Sequence, residues 1–99
     1  MTVRFTEDAK SDIKVIYIYS YQNFGRQQAD KYFDALSEKM ETLSDVVICS
    51  DYSFVREGLK RLNHQSHAIY YREDEDDVLV LRVLHQRMDP ALHMRDEPT

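Results

Sequence analysis

Apolar and polar positions alternate along this chain first with the period of a helix and later with the period of a strand. Ala9, Ile13, Ile16 and Tyr17 recur at spacings of three and four, Ser20 and Phe24 extend the stripe, and Glu7, Asp8, Ser11 and Lys14 face away. This is the pattern of an amphipathic helix. Thr6 supplies an N-cap and Glu7 and Asp8 an acidic first turn, so the helix starts near Glu7, after a short edge strand at Val3-Arg4-Phe5. Val15, Ile18 and Tyr19 fall off the stripe. The second half of this helix is therefore apolar nearly all round, which requires burial on more than one side or a partner surface. Gly25 is placed to end it in a left-handed conformation. Ala29, Tyr32, Phe33, Leu36, Met40 and Leu43 then build a second stripe opposite Asp30, Lys31, Asp34, Glu38 and Glu41. The two helices form an antiparallel hairpin that lays its apolar side on a sheet.

The C-terminal half supplies that sheet. Residues 44 to 55 are read as an irregular, partly buried segment, in which Val46-Val47-Ile48-Cys49 is either a buried strand or loop tucked under the helices. A turn at Gly58 feeds a short strand ending near Leu62, and Asn63-His64-Gln65 forms a second turn. Two longer strands run from His67 to Arg72 and from Val78 to His85, joined by the wholly acidic tract 73 to 77. Met88-Asp89-Pro90 ends the ordered sheet, because proline cannot donate to a ladder, and 95 to 99 reads as a mobile tail. The expected fold is α+β: a two-helix hairpin packed on a small antiparallel sheet, in the order β-α-α-β-β-β. The last strand is apolar at both parities, with Val78, Val80 and Leu84 on one face and Leu79, Leu81 and Val83 on the other. Both faces should be buried, yet the helices cover one. Either the segment 44 to 55 or a partner protein covers the other.

Composition narrows the picture. With 99 residues, 42% of them hydrophobic and 31% charged, the chain suits one soluble domain with one core. No apolar run approaches the roughly 20 residues that cross a bilayer, and Met1-Thr2-Val3-Arg4 leads into no apolar signal core, so a cytoplasmic protein is expected. Cys49 is the sole cysteine and reads as a small buried hydrophobe. No cofactor or metal site is expected. The net charge of −5 argues against a broad grip on nucleic acid. Outside the acidic tract, however, residues 52 to 99 carry seven basic and four acidic groups, which leaves room for a small basic groove.

The basic and imidazole groups of that half are the candidate chemistry. Arg82 interrupts an apolar strand and must pair with an acidic side chain of its own fold or with a partner's carboxylate. Lys60 and Arg61 lie on a short strand, as a contact surface or as a solvated edge that discourages aggregation. His85 and Arg87 stand at a strand end suited to a partner contact, and Arg72 ends the strand before the acidic turn. His67 and His85 have the residue type for acid–base work on RNA, although a histidine at a strand start such as His67 commonly serves a turn. Tyr19, pointing away from Tyr17 and Tyr21, is the one of the three best placed to meet a partner, beside the commoner reading of core packing or helix-surface filling.

Five elements together invite comparison with a known family: Ala9-x-x-Asp12-Ile13-x-x-Ile16, Phe24-Gly25-x-x-x-Ala29-x-x-Tyr32, Arg56-Glu57-Gly58, Ser66-His67-x-Ile69-x-Tyr71-Arg72, and Leu84-His85-Gln86-Arg87-Met88-Asp89. In order and spacing they resemble ParE toxins of the RelE/ParE superfamily, over nearly the whole chain. The chain departs from many relatives in having Ser44 to Asp51 where a Pro/Gly-containing turn is common, and Phe24 where tryptophan is common. The resemblance implies the toxin of a type II toxin-antitoxin module, bound in a hetero-oligomer by a ParD-like antitoxin whose C-terminal segment wraps it. It also implies inhibition of DNA gyrase without catalysis. The antitoxin or target surface is then assigned to Lys60, Arg61, Arg72, Arg82, His85 and Arg87. A ribosome-dependent mRNA interferase of the RelE type, and a degenerate toxin that keeps only antitoxin binding, are the alternatives.

Overall fold

A computed structural model describes residues 2–45 and 49–94. Strand β1 (Val3–Phe5) leads into helices α1 (Glu7–Phe24) and α2 (Arg26–Glu41) and a 3-10 turn (Leu43–Asp45). Strands β2 (Ser50–Asp51), β3 (Lys60–His64), β4 (His67–Asp74) and β5 (Asp77–His85) follow, then the short helix α3 (Pro90–His93). The five strands make one sheet in the order β1-β5-β4-β3-β2. The α+β class and the helical hairpin are as expected from the sequence. The sheet itself is mixed, because β1 joins the edge of β5 in parallel while the other pairs are antiparallel. The expected strand or loop at Val46-Val47-Ile48 and the tail 95 to 99 lie outside the described residues.

Local chemistry sets the helix ends. The Thr6 hydroxyl accepts the Ala9 N–H at 3.0 Å and donates to the Leu81 carbonyl at 2.8 Å, so the cap of α1 is also its first tie to the sheet. Gly25 serves both helices: its N–H bonds the Tyr21 carbonyl at 3.0 Å, and its carbonyl accepts the Ala29 N–H at 3.1 Å. It does so at φ 85° and ψ 170°, a region essentially restricted to glycine. The α1–α2 hairpin is fastened further by the Tyr17 hydroxyl, which donates to Asp30 at 2.5 Å, and by the edge of Phe33 against the Tyr17 ring.

One extra residue in β5 decides how the core is divided. Tyr70 stands opposite Arg82 and Tyr71 opposite Val80, leaving Leu81 as a bulge. A bulge shifts the inward-outward alternation by one position. Val78, Val80 and Val83 consequently face the helices with Ile69, Tyr71, Leu36 and Met40, whereas Leu79, Leu81 and Leu84 face the other side with Tyr70 and Leu59. Strict alternation had exchanged Val83 and Leu84. The second face is covered by Tyr52, Val55 and Leu59 from a self-closed loop, and by Met94 beyond the buried Pro90. Among the described residues, the 44-to-55 segment covers that face through Tyr52 and Val55, and Leu59 and the C-terminal turn add to it.

The acidic tract is less solvated than a free turn. Glu73, Asp74 and Asp77 belong to the strand ends, and only Glu75 and Asp76 make the turn. Arg4 pairs with Asp74 and, at 3.4 Å, with Asp77; Lys60 reaches Glu73 at 3.0 Å, and Arg72 lies 3.6 Å from Asp74.

Beyond Val80 the strand β1 no longer accompanies β5, and α1 crosses the open edge instead. The Asp12 carboxylate accepts Nε and Nη2 of Arg82 at 2.7 and 2.8 Å, and its Oδ2 also takes the Val83 N–H at 3.0 Å. Arg82 Nη1 donates to the His93 carbonyl as well. Both side chains are largely buried.

Two outcomes test these ties. Gly25→Ala is expected to cost about 1–3 kcal/mol of stability in urea unfolding through backbone strain, since a Cβ there meets nothing within 4 Å. Asp12→Ala leaves Arg82 and the Val83 N–H without their acceptor, and is expected to cost about 2–4 kcal/mol by the same measurement.

Candidate functional site

The α1 face that carries Asp12 continues through Val15, Ile16 and Tyr19 at helical spacing, and these residues overhang the open edge of β5. Between them and the end of β5 lies a groove of about 630 Å³. Val15, Tyr19, Phe24 and Met88 give it apolar walls, and Ser66, His67 and His85 close one end. Val15 is 64% exposed, Tyr19 60% and Phe24 64%, so nothing within the described residues covers this wall. The all-round apolar character of the second half of α1 thus reflects an open surface, with Tyr19 on it. On the other side of α1 a second groove of about 650 Å³ runs past β1, lined by Val3, Phe5, Ile13, Phe33 and Met40.

Strand register assembles the histidines. His64 stands opposite His67, and His67 opposite His85, so the three form a row across the ends of β3, β4 and β5. Tyr32 of α2 sits above the row, its ring 5.6 Å from that of His64 and 5.5 Å from that of His67. Its hydroxyl is 2.5 Å from His67 Nδ1. The His67 and His85 rings meet edge to face at 5.9 Å. Burial, followed by the neighbouring His85 and His64, holds the His67 pKa below its ordinary value; burial and Lys39 do the same for His64. Among the described residues no group of three or more His, Cys, Asp or Glu side chains is arranged to hold a metal ion.

The six residues chosen from sequence do not form one constellation. His85 and Arg82 line the groove, Arg82 with its guanidinium engaged by Asp12, and Arg87 lies in the turn that follows. Lys60 and Arg72 lie toward the opposite end of the strands, and Arg61 stands level with Arg82 but across Tyr70 on β3. Lys60 pairs with Glu73, and Arg72 with Asp74. Arg61 donates to the Tyr52 hydroxyl at 2.7 Å and to Asn63 at 2.8 Å, with its guanidinium carbon 5.2 and 5.6 Å from the Tyr52 and Tyr70 ring centres. Asp12, Tyr32 and His64 were not among the six. Asp12 is a polar residue on an otherwise apolar helix face, the signal that could have singled it out; Tyr32 and His64 become part of the site only through tertiary packing.

The depressed histidines make stability depend on pH. In the unfolded chain His64 and His67 bind protons at a higher pH than in the fold, so stability rises with pH between their folded values and about 6.5. The free protein is expected to be most stable above about pH 7, and to lose melting temperature as the pH falls toward about 5. His67→Gln should flatten that slope, as thermal unfolding across pH will show.

Comparison with known proteins places this arrangement in context. Residues 3–90 match the model of the ParE toxin of the type II toxin-antitoxin system parDE. Toxin ParE1 of Caulobacter vibrioides is 32% identical over 92 residues, 92% of this chain and 95% of the relative. Toxin ParE1 of Mycobacterium tuberculosis is 31% identical over 83 residues, 82% of this chain and 85% of the relative. A solved structure described as a chromosomal ParDE TA system from P. aeruginosa shares the fold, with a TM-score of 0.76 at 21% identity over 86% of this chain and 95% of that one. The chain belongs to the ParE toxin family of type II toxin-antitoxin systems.

Proposed function

We propose that this toxin binds a ParD-like antitoxin along the groove between α1 and the open edge of β5, and that, freed from it, the toxin inhibits DNA gyrase in the cytoplasm by non-covalent contact. The observation that carries the antitoxin reading is the continuous apolar wall Val15, Tyr19 and Phe24, three large side chains left mostly in water beside an uncovered strand edge. Exposed apolar surface of this kind marks protein association. His85 supplies a polar rim of the groove with Arg87 in the turn beyond it, and Arg82 acts through the position it gives β5 and the C-terminal turn. Lys60, Arg61 and Arg72, on β3 and β4 away from the groove and partnered there by Glu73, Tyr52 and Asp74, offer a second contact surface for the antitoxin or the gyrase subunit. Family membership supports gyrase as the target, and the acidic net charge opposes the alternative of direct binding to nucleic acid.

Two assays on the antitoxin-free protein test the target. Supercoiling of relaxed plasmid by gyrase is expected to be inhibited while mRNA on translating ribosomes stays intact. Cleavage of the mRNA without inhibition would overturn the reading in favour of an interferase, and silence in both assays with antitoxin binding retained would indicate a degenerate toxin. Tyr19→Ala is expected to weaken antitoxin binding by roughly tenfold or more in a titration, with the melting temperature unchanged because the side chain packs little within the fold.

A further inference from the structure

The groups facing His67 and His85 from each surrounding element can be named. From α2, Tyr32 engages His67 Nδ1; from β3, His64 presents an Nε2 that is buried without a hydrogen-bond partner. From α1, Asp12 faces the groove but is committed to Arg82 and Val83. After β5, the Arg87 N–H donates to His85 Nδ1 at 3.2 Å. The charges acting on the row are of one sign: Lys39 on His64, and the imidazoles on one another. Among the described residues no carboxylate bonds to either His67 or His85. Each ring thus has Nδ1 engaged inside the fold and Nε2 left over, at one end of a groove whose other walls are apolar apart from Ser66 and the Asp12–Arg82 pair.

Any segment that fills this groove strips water from two imidazole rings whose centres lie 5.9 Å apart. A neutral backbone carbonyl can accept from one of them, while a carboxylate, with two oxygens, can accept from both and offset the charge. Given an antitoxin in the groove, as proposed above, we propose that its segment places an Asp or Glu carboxylate between His67 and His85, next to apolar side chains that cover Val15, Tyr19 and Phe24. A phosphate would satisfy the same nitrogens. The adjoining wall of Val15, Tyr19 and Met88 gives a nucleotide backbone no further cation, however, and the net charge of −5 opposes it.

The consequence is a proton. A carboxylate at hydrogen-bond distance favours the imidazolium, whereas burial in the free chain favours the neutral ring of His67. The complex therefore holds protons that the free toxin lacks near neutrality, and linkage makes binding tighten as the pH falls.

Calorimetric titration of the full chain with a full-length ParD-like antitoxin, at about pH 7 in two buffers of different ionisation enthalpy, reads this directly. Uptake of about one proton per complex is expected, with a Kd about tenfold lower near pH 6 than near pH 8. His67→Gln should remove most of both effects; should that variant fail to fold, the buffer dependence of the natural chain decides alone. Tight binding with buffer-independent heat and a pH-flat Kd would overturn the proposal and leave the antitoxin reading standing. No binding at any pH would remove both. A short single-stranded RNA that competes with the antitoxin near pH 6 would overturn the proposal in favour of a phosphate ligand.

Discussion

Most of this structure hangs on the place where β5 loses its parallel neighbour. Past Val80 the strand would present bare backbone groups to solvent, and α1 meets them with two side chains one helical stretch apart: Thr6 takes the Leu81 carbonyl and Asp12 takes the Val83 N–H. Asp12 simultaneously holds the Arg82 guanidinium in a two-point pair, and Arg82 passes the restraint on to the His93 carbonyl. One carboxylate thereby fixes the helix, the edge strand and the C-terminal turn relative to one another. Because a helix and not a strand closes this edge, the next turns of α1 stand off from β5, and the space between them is the groove.

The bulge at Leu81 belongs to the same design. Without the extra residue, Val83 would turn away from the helices and Leu84 toward them, and the leucine-lined second face would lose its last member. With it, β5 buries branched side chains against the helices and leucines against the loop 52–59 and Met94. That second layer is small, and Arg61 seals its margin by lying across Tyr52 and Tyr70. The Arg82–His93 bond keeps the chain close to it. The groove on one side of β5 and the closure on the other therefore share a residue, so a change at Arg82 reaches both.

Features written into neighbouring residues were legible in the sequence. The Thr6 cap, the Gly25 junction and the two helical stripes each depend on residues within a few positions of one another, and the structure has them where the pattern put them except at Phe24, which ends the α1 stripe exposed. Features written across the sheet were not. Nothing in Val78 to His85 announces a bulge, since every position but Arg82 and His85 is apolar and either parity reads equally well. The parallel seat of β1 requires knowing that the helical hairpin brings residues 3 to 5 back to β5. Among the site residues, His85 was visible by type and position, but the row it forms with His67 and His64 appears only when the register is known. Lys60 and Arg72 read from sequence as cations without visible partners. Their partners come from the ends of the acidic tract, which the register makes strand and not turn.

The exposed wall also bears on how a partner must bind. Val15, Tyr19 and Phe24 are each about one-third covered already, so completing their burial contributes about 1–2 kcal/mol apiece, roughly 5 in all. Association costs on the order of 4–15 kcal/mol in lost translational and rotational freedom before any affinity appears. The groove alone is thus too small for a stable complex, and a partner confined to it would dissociate readily. A segment that continues around α1 to the groove beside β1, lined by Val3, Phe5 and Phe33, roughly doubles the apolar area within reach. The wrapping expected of a ParD-like antitoxin is, on these magnitudes, what two modest grooves on opposite flanks of one helix require for tight neutralisation.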